Sequence, residues 1–101
     1  MMDRSLLTTA EKLVEITARF ASKMTVKDEE IERLVGSSTK DIAKNASQKV
    51  TFWLVEEKGS LFYCKLCGKG PFTKRGIYLH LIRAHRDEIR GLVAEELETE
   101  I

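Results

Sequence analysis

Two cysteines and two histidines constrain this chain more than any other feature of its sequence. Cys64 and Cys67 are separated by two residues, twelve residues follow, and His80 and His85 are separated by four. No other cysteine or histidine occurs among the 101 residues. Spacing of this kind brings two thiolates and two imidazoles to one tetrahedral zinc ion. The sequence therefore predicts a single zinc site built from these four side chains.

The predicted site is structural, because four protein ligands fill the coordination sphere and leave no position for water. A catalytic zinc site keeps such a position open. Metal binding would instead contribute much of the folding free energy of the surrounding unit. We therefore expect no enzymatic activity, and a metal-dependent nuclease is the class that this ligand set disfavours most.

Charge is spread unevenly along the chain, although the formal net charge is only +1. Residues 59–90 carry seven basic side chains and two acidic ones, whereas residues 91–101 carry four glutamates and no basic residue. A basic segment within a nearly neutral chain indicates a polyanionic partner.

The sequence shows no signal for export or membrane insertion. The first 25 residues carry charges throughout and lack the apolar core of a signal peptide. No apolar run approaches the roughly 18 residues that a bilayer requires. A disulfide between Cys64 and Cys67 would close only a very small loop and would leave the paired histidines unexplained. We therefore expect an intracellular protein, in the cytoplasm or in a nucleus where one exists, without a membrane partner.

The first 58 residues read as an N-terminal helical region. Three pairs fit the capping-box pattern ahead of periodic apolar segments, namely Thr8 with Glu11, Thr25 with Asp28 and Ser38 with Asp41. Gly36 is placed to end the second helix. The third segment is predicted to turn one apolar side inward, formed by Ile42, Ala43, Ala46, Val50, Trp53 and Leu54.

The end of the third segment has two interpretations. Residues 50–55 are β-branched and aromatic, as in a strand, and residues 56–59 would then form a hairpin turn. We favour a helix that continues to about Glu57, because the helical period that begins at Ile42 extends through Leu54. In both cases residues 61–63 are predicted to form a strand, and residues 73–85 a helix.

Residues 61–86 resemble a C2H2 zinc finger, the ββα module with paired cysteines and paired histidines. Residues 62–69 match its opening hairpin, Phe72 corresponds to its core aromatic residue, and Ile77 to its aliphatic core residue. One departure affects the turn, because Pro71 stands where the family has its aromatic residue and Phe72 follows one place later. The resemblance implies one structural zinc ion held by Cys64, Cys67, His80 and His85.

The predicted fold is mainly α with a small ββα zinc finger, in the α+β class. We divide the chain into an N-terminal helical region (1–58), the finger (59–87) and an acidic helical tail (88–101). The tail either extends the finger helix or docks on the N-terminal helices. Residues 25–62 are also similar to the helix-turn-helix and following strand of winged-helix regulators. We favour a plain helical bundle packed against the finger over that alternative.

The resemblance places Thr73, Gly76 and Leu79 at the helix positions that contact bases in DNA-reading fingers. Glycine has no side chain and leucine no hydrogen-bonding group, so only Thr73 and Arg75 could read a base edge. The basic residues suit phosphates better. The predicted nucleic-acid contacts are therefore Lys65, Lys69, Thr73, Lys74, Arg75, Arg83 and Arg86 on the finger, with Lys40 and Lys44 if the helix-turn-helix also binds.

We favour a DNA-binding protein or transcriptional regulator whose partner is double-stranded DNA. The alternative is a protein-interaction adaptor, in which Tyr78, Leu79 and Ile82 form an exposed apolar patch for a partner protein. A homodimer is a further alternative. A single finger buries little surface on DNA, so tight binding would need a second contact surface from a dimer partner or from the N-terminal helices.

Overall fold

A computed structural model describes residues 4–100 of the chain. The prediction of a mainly helical α+β protein is confirmed, and the described residues form five helices and one two-stranded antiparallel sheet. No helix in this range is both long and apolar enough to cross a bilayer. The elements are α1 (Arg4–Ala21), α2 (Asp28–Val35), α3 (Lys40–Leu54), β1 (Val55–Lys58), β2 (Leu61–Cys64), α4 (Lys74–Ala84) and α5 (Arg86–Glu100).

The apolar core lies where α1, α3 and α5 pack against one another. Each helix contributes an apolar stripe at helical spacing, represented by Leu13 on α1, Val50 on α3 and Ile89 on α5, all fully buried. The acidic tail therefore docks on the N-terminal helices, which was one of the two predicted arrangements. An ion pair of 2.6 Å between Lys49 and Glu100 joins the end of α5 to α3.

The three predicted N-terminal helices are present, but their starts differ from the capping-box prediction. Helix α1 begins at Arg4, so Thr8 lies inside it and donates a hydrogen bond to the Arg4 carbonyl at 3.1 Å. The residues that precede α2 and α3 are Lys27 and Thr39. Gly36 ends α2 as predicted, with a φ of 88° that glycine adopts readily.

The predicted continuation of the third helix to Glu57 is wrong. Helix α3 ends at Leu54, and β1 pairs with β2 in a register that places Val55 opposite Cys64 and Lys58 opposite Leu61. A hairpin is present, but with other bounds than the alternative gave it, because residues 50–54 are helical and residues 56–58 belong to the strand and not to the turn. The predicted strand at 61–63 is present within β2. Pairing with β2 replaces the backbone hydrogen bonds of a further helical turn, and it also satisfies the edge of β2 that a helix would leave unpaired.

Strand β2 is bonded on both of its edges. One edge faces β1, and the other forms a bridge with Phe72, whose N–H and carbonyl exchange hydrogen bonds of 2.7 and 2.9 Å with Phe62. The chain returns through Gly70, where φ is 154° and an added Cβ would lie 2.6 Å from a Tyr63 ring atom. The peptide bond between Gly70 and Pro71 is cis.

Helix α4 follows this return and covers β2 and α1. Its start is capped by Thr73, whose Oγ1 accepts a hydrogen bond from the Gly76 N–H at 3.1 Å. Ile77 and Leu81 are fully buried on its inner side. The helix expected over residues 73–85 therefore spans Lys74–Ala84, so α4 carries His80 and is followed directly by His85.

Candidate metal centre

The four predicted ligands converge at one point. Cys64 is the last residue of β2, Cys67 lies in the turn that follows, His80 is on α4 and His85 comes directly after α4. Their donor atoms all lie within 4.8 Å of one another. The Cys67 Sγ is 3.3 Å from the His80 Nε2. This cluster could hold a metal ion.

The turn after β2 orients the two cysteines. The Gly68 N–H donates to the Cys64 carbonyl at 2.8 Å, and the Cys64 N–H donates to the Lys69 carbonyl at the same distance. Gly68 has a φ of 78°, which lets the chain reverse within a few residues. Both thiols therefore belong to one tight loop, with Cys64 buried and Cys67 exposed.

His85 has the environment of a metal ligand. Its Nδ1 is 2.6 Å from a carboxylate oxygen of Glu88, one helical turn further on. Its Nε2 is buried and has no hydrogen-bond partner within residues 4–100. The bond to Glu88 favours a proton on Nδ1 and leaves the Nε2 lone pair directed into the cluster. A buried acceptor without a partner is costly, and a metal ion would supply that partner.

Glu88 was not among the predicted site residues. The signal that could have identified it is a carboxylate three residues after a ligand histidine on a predicted helix, since residues three apart are neighbours on a helix surface. The carboxylate holds the His85 ring in one orientation. Glu88 is therefore a positioning residue for the cluster.

Phe72 and the two histidines form a stack beside the cysteines. The Phe72 and His80 rings lie 4.7 Å apart with an angle of 24° between their planes. His80 and His85 meet edge to face at 5.0 Å. Phe72 thus packs against a candidate ligand even though Pro71 takes its usual place in the finger pattern.

The two cysteines differ in acidity because they differ in surroundings. Burial raises the pKa of Cys64. A hydrogen bond from the backbone of Lys69 and then the proximity of the His85 imidazole lower the pKa of Cys67. Metal ions bind the thiolate form of cysteine. Cys67 therefore loses its proton more readily, whereas deprotonation of the buried Cys64 depends more on the charge of a bound metal ion.

The histidines differ in the same way. Burial, with smaller contributions from the charges of His85 and Lys69, lowers the pKa of His80. For His85 burial acts in the same direction, but the hydrogen bond to Glu88, with a smaller contribution from the neighbouring Cys67, outweighs it and raises its pKa. His80 is therefore neutral over a wider pH range, in the form that ligates metals.

Several of the predicted nucleic-acid contacts are engaged within the protein. Lys44 pairs with Asp28 at 2.9 Å, an interaction that also lowers the pKa of Asp28, and Lys40 lies 3.7 Å from Glu32. Arg86 is 3.5 Å from a Glu11 carboxylate oxygen. Two more of the predicted contacts, Lys65 and Thr73, also have internal partners. Lys65 donates a hydrogen bond to the Phe52 carbonyl at 2.8 Å, and Thr73 caps α4.

The other predicted contacts keep their charges unpaired. Lys69, Lys74, Arg75 and Arg83 are exposed, and none of them forms an ion pair within residues 4–100. All four lie in the loop or the helix that bears the metal ligands. The structure thus divides the predicted contacts into a set with internal partners and a set of four available cations.

The outer side of α4 carries a shallow groove of about 480 Å³. It is lined by Phe72, Gly76, Leu79, His80, Arg83 and Ala84. The predicted apolar patch is only partly present, because Tyr78 and Ile82 are half-buried and pack against the apolar core. Of the three predicted members, only Leu79 lines this groove.

Comparison of the chain with models of protein families, with curated proteins and with solved structures finds no match in any of the three.

Proposed function

We propose that the cluster holds one structural zinc ion and that residues 61–86 form a C2H2-type zinc finger. Two thiolates with two imidazoles are a donor set that suits zinc. A tetrahedral zinc ion spaces sulfur and nitrogen donors about 3.3–3.8 Å apart. The cluster, with donor atoms within 4.8 Å and one pair at 3.3 Å, is close to that spacing. The unpartnered His85 Nε2 supports the same assignment.

Metal analysis tests this assignment directly. We expect one zinc per chain after purification and dialysis, and the loss of that zinc in Cys64→Ser. Retention of a full equivalent in both Cys64→Ser and His80→Ala would contradict the assignment.

We infer further that the protein binds double-stranded DNA through phosphate contacts made by Lys69, Lys74, Arg75 and Arg83, in the role of a transcriptional regulator inside the cell. The observation that carries this proposal is that these four cations are exposed around the cluster and form no ion pair with any residue between 4 and 100. Lys69 is close enough for its charge to lower the pKa of His80, and Arg83 lines the groove beside that residue. Unpaired cations can replace the counterions of a phosphate backbone, whereas paired cations must first give up their partners.

Binding through this surface would tolerate many sequences. Thr73 is occupied as a cap, Gly76 has no side chain and Leu79 offers no hydrogen bond. Arg75, Leu79 and Arg83 follow at steps of four and so share one side of α4. That side thus presents two guanidinium groups around an apolar centre, which suits the backbone of a duplex more than its base edges.

Titration of the zinc-loaded protein with random duplex DNA at two salt concentrations tests the proposal. The logarithm of affinity should fall with the logarithm of salt by about 0.9 per phosphate contact. Lys74→Ala/Arg75→Ala should weaken binding and reduce that slope by roughly 2. Lys40→Ala/Lys44→Ala is the matched control and should change the slope little. If a helix-turn-helix also bound DNA, this variant would reduce the slope as much as Lys74→Ala/Arg75→Ala. Absence of saturable binding at about 50 mM salt would overturn the proposal.

A second candidate, the protein-interaction adaptor, is favoured by the groove beside Leu79. A partner could insert an apolar side chain there, where Gly76 leaves the helix surface open. Leu79→Lys should then abolish capture of the partner without altering zinc content. The same variant should bind random DNA at least as well as the parent if the DNA-binding proposal is correct, because it adds a positive charge.

A further inference from the structure

Two large aromatic side chains stand exposed at the end of α3. Phe52 is 74% exposed and Trp53 is 63% exposed. The sequence predicted Trp53 on the buried side of this helix, and that prediction is wrong. Consecutive helical residues point about 100° apart, so the two rings line different depressions of the surface. Aromatic side chains are enriched at protein interfaces.

The depression beside Trp53, which we name the Trp53 groove, lies between α3 and α5. It measures about 320 Å³ and is lined by Val50, Trp53, Leu92, Glu95 and Glu96. Val50 is buried and Leu92 half-buried, so the groove has an apolar base.

The carboxylates of the Trp53 groove form no direct ion pair in the described part of the chain, although Glu100, and to a smaller extent the charge of Glu96, raise the pKa of Lys49. Neither Glu95 nor Glu96 forms an ion pair within residues 4–100. The nearby Lys49 is held by Glu100 at 2.6 Å. The groove thus presents two negative charges beside an exposed indole ring.

The depression beside Phe52 has the opposite charge. Phe20, Thr51 and Val55 line it together with two lysines, Lys23 and Lys65, and one carboxylate, Glu57. The same helix therefore exposes two aromatic side chains of similar size in surroundings of opposite sign. This contrast provides an internal control for any ligand that is recognised through charge.

We propose that the Trp53 groove binds a basic segment of a partner protein. A lysine or arginine of that segment would lie against the indole, which is the aromatic ring that attracts cations best, and between Glu95 and Glu96. An adjacent apolar side chain would cover Leu92, which is half-buried at the base of the groove. Nucleic acid is disfavoured because the two carboxylates would repel its phosphates. This surface uses none of the four cations proposed to contact DNA, so either proposal can fail alone.

Trp53 supplies the measurement, because it is the only tryptophan in the chain. The probe is an amphipathic peptide of leucine and arginine, and its counterpart carries glutamate in place of arginine. We expect a saturable blue shift of the fluorescence with the arginine peptide and none with the glutamate peptide. Glu95→Gln/Glu96→Gln should weaken binding at least about tenfold, since it removes both attractive charges.

Two variants serve as controls. Glu29→Gln/Glu98→Gln removes the same charge at exposed positions outside the groove, and Phe52→Ala removes the neighbouring aromatic ring. Both should leave the affinity for the arginine peptide within about twofold. Trp53→Ala, followed by the anisotropy of a labelled peptide, should abolish binding while circular dichroism shows the helices intact.

Four outcomes would overturn the proposal, of which three concern the peptides. They are absence of binding of the arginine peptide, equal binding of the glutamate peptide, and equal affinity for the Glu95→Gln/Glu96→Gln variant. A fourth is a homodimer in sedimentation that Trp53→Ala dissociates, because a second copy would then occupy the groove. Loss of DNA binding in Lys74→Ala/Arg75→Ala has no bearing on these results.

Discussion

The helical core and the Cys/His unit of residues 61–85 are held together by different means. Leu13, Val50 and Ile89 in the core are fully buried and apolar, so burial alone can stabilise that region. The Cys/His unit buries Phe62 and Ile77 but surrounds its centre with four polar donor groups. Such a centre is favourable only when the donors have a common partner. One chain therefore contains a region that packing can maintain and a region that would depend on the proposed zinc ion.

The two regions nevertheless meet at His85. Its N–H donates to the Leu81 carbonyl at the end of α4, and its carbonyl accepts from the Ile89 N–H at the start of α5. Ile77 and Leu81 also belong to the apolar cluster that includes α1. A candidate ligand is thus the junction between the unit and the core, and the following predictions test how far one region can change without the other.

Removal of the metal should have the largest effect. Structural zinc contributes roughly 10–16 kcal/mol in isolated finger peptides, so chelation should disorder residues 61–85. We expect amide hydrogen exchange to become fast in that range and to stay slow in α1. Addition of Zn²⁺ should restore protection, and Mg²⁺ should not. Equal loss of protection in both regions would show that the core also requires the metal.

The converse change is Leu13→Ala in the core. Truncation of a fully buried leucine lowers the free energy of unfolding by about 2–5 kcal/mol. Urea unfolding of the variant measures this loss. Zinc stoichiometry should not change, because Leu13 lies on α1 and none of the four candidate ligands belongs to that helix. Leu7→Ala on the same helix is the control and should cost much less, since Leu7 is 37% exposed. Loss of zinc in Leu13→Ala would mean that the unit cannot form without an intact core.

Gly70→Ala should destabilise the Cys/His unit by about 1–3 kcal/mol. The added Cβ would clash with Tyr63, and the alanine backbone would have to adopt a φ of 154°. Gly91→Ala in α5 is the opposite case, because nothing lies within 4 Å of its Cβ position. That variant should stabilise the protein by up to about 1 kcal/mol through helix propensity. Thermal unfolding of the two variants, measured side by side, should shift in opposite directions.

Glu88→Gln should have the smallest effect on stability and act on metal affinity. Loss of a carboxylate that orients a ligand histidine commonly lowers metal affinity by about tenfold or more. Competition with a chromophoric chelator measures the change. Asp87→Asn, the adjacent exposed residue, should leave zinc affinity unaltered. An unaltered affinity in Glu88→Gln would show that packing alone orients His85.

The sequence by itself determined the ligand cluster and most helices. The spacing of Cys64, Cys67, His80 and His85 is a local property, and a short turn with one helix suffices to bring them together. The stripes of α1, α3 and α5 follow from the helical period, which neighbouring residues set. Such features survive whatever packs around them.

Tertiary structure alone decided the rest. Val55–Lys58 became a strand because β2 was available to pair with it, and Trp53 remained exposed because α5 left a groove beside it. The partners of Lys44 and His85 likewise depend on where α2 and α5 lie. Strand pairing, exposure and charge pairing depend on contacts with other elements, and no local pattern encodes which element will supply them.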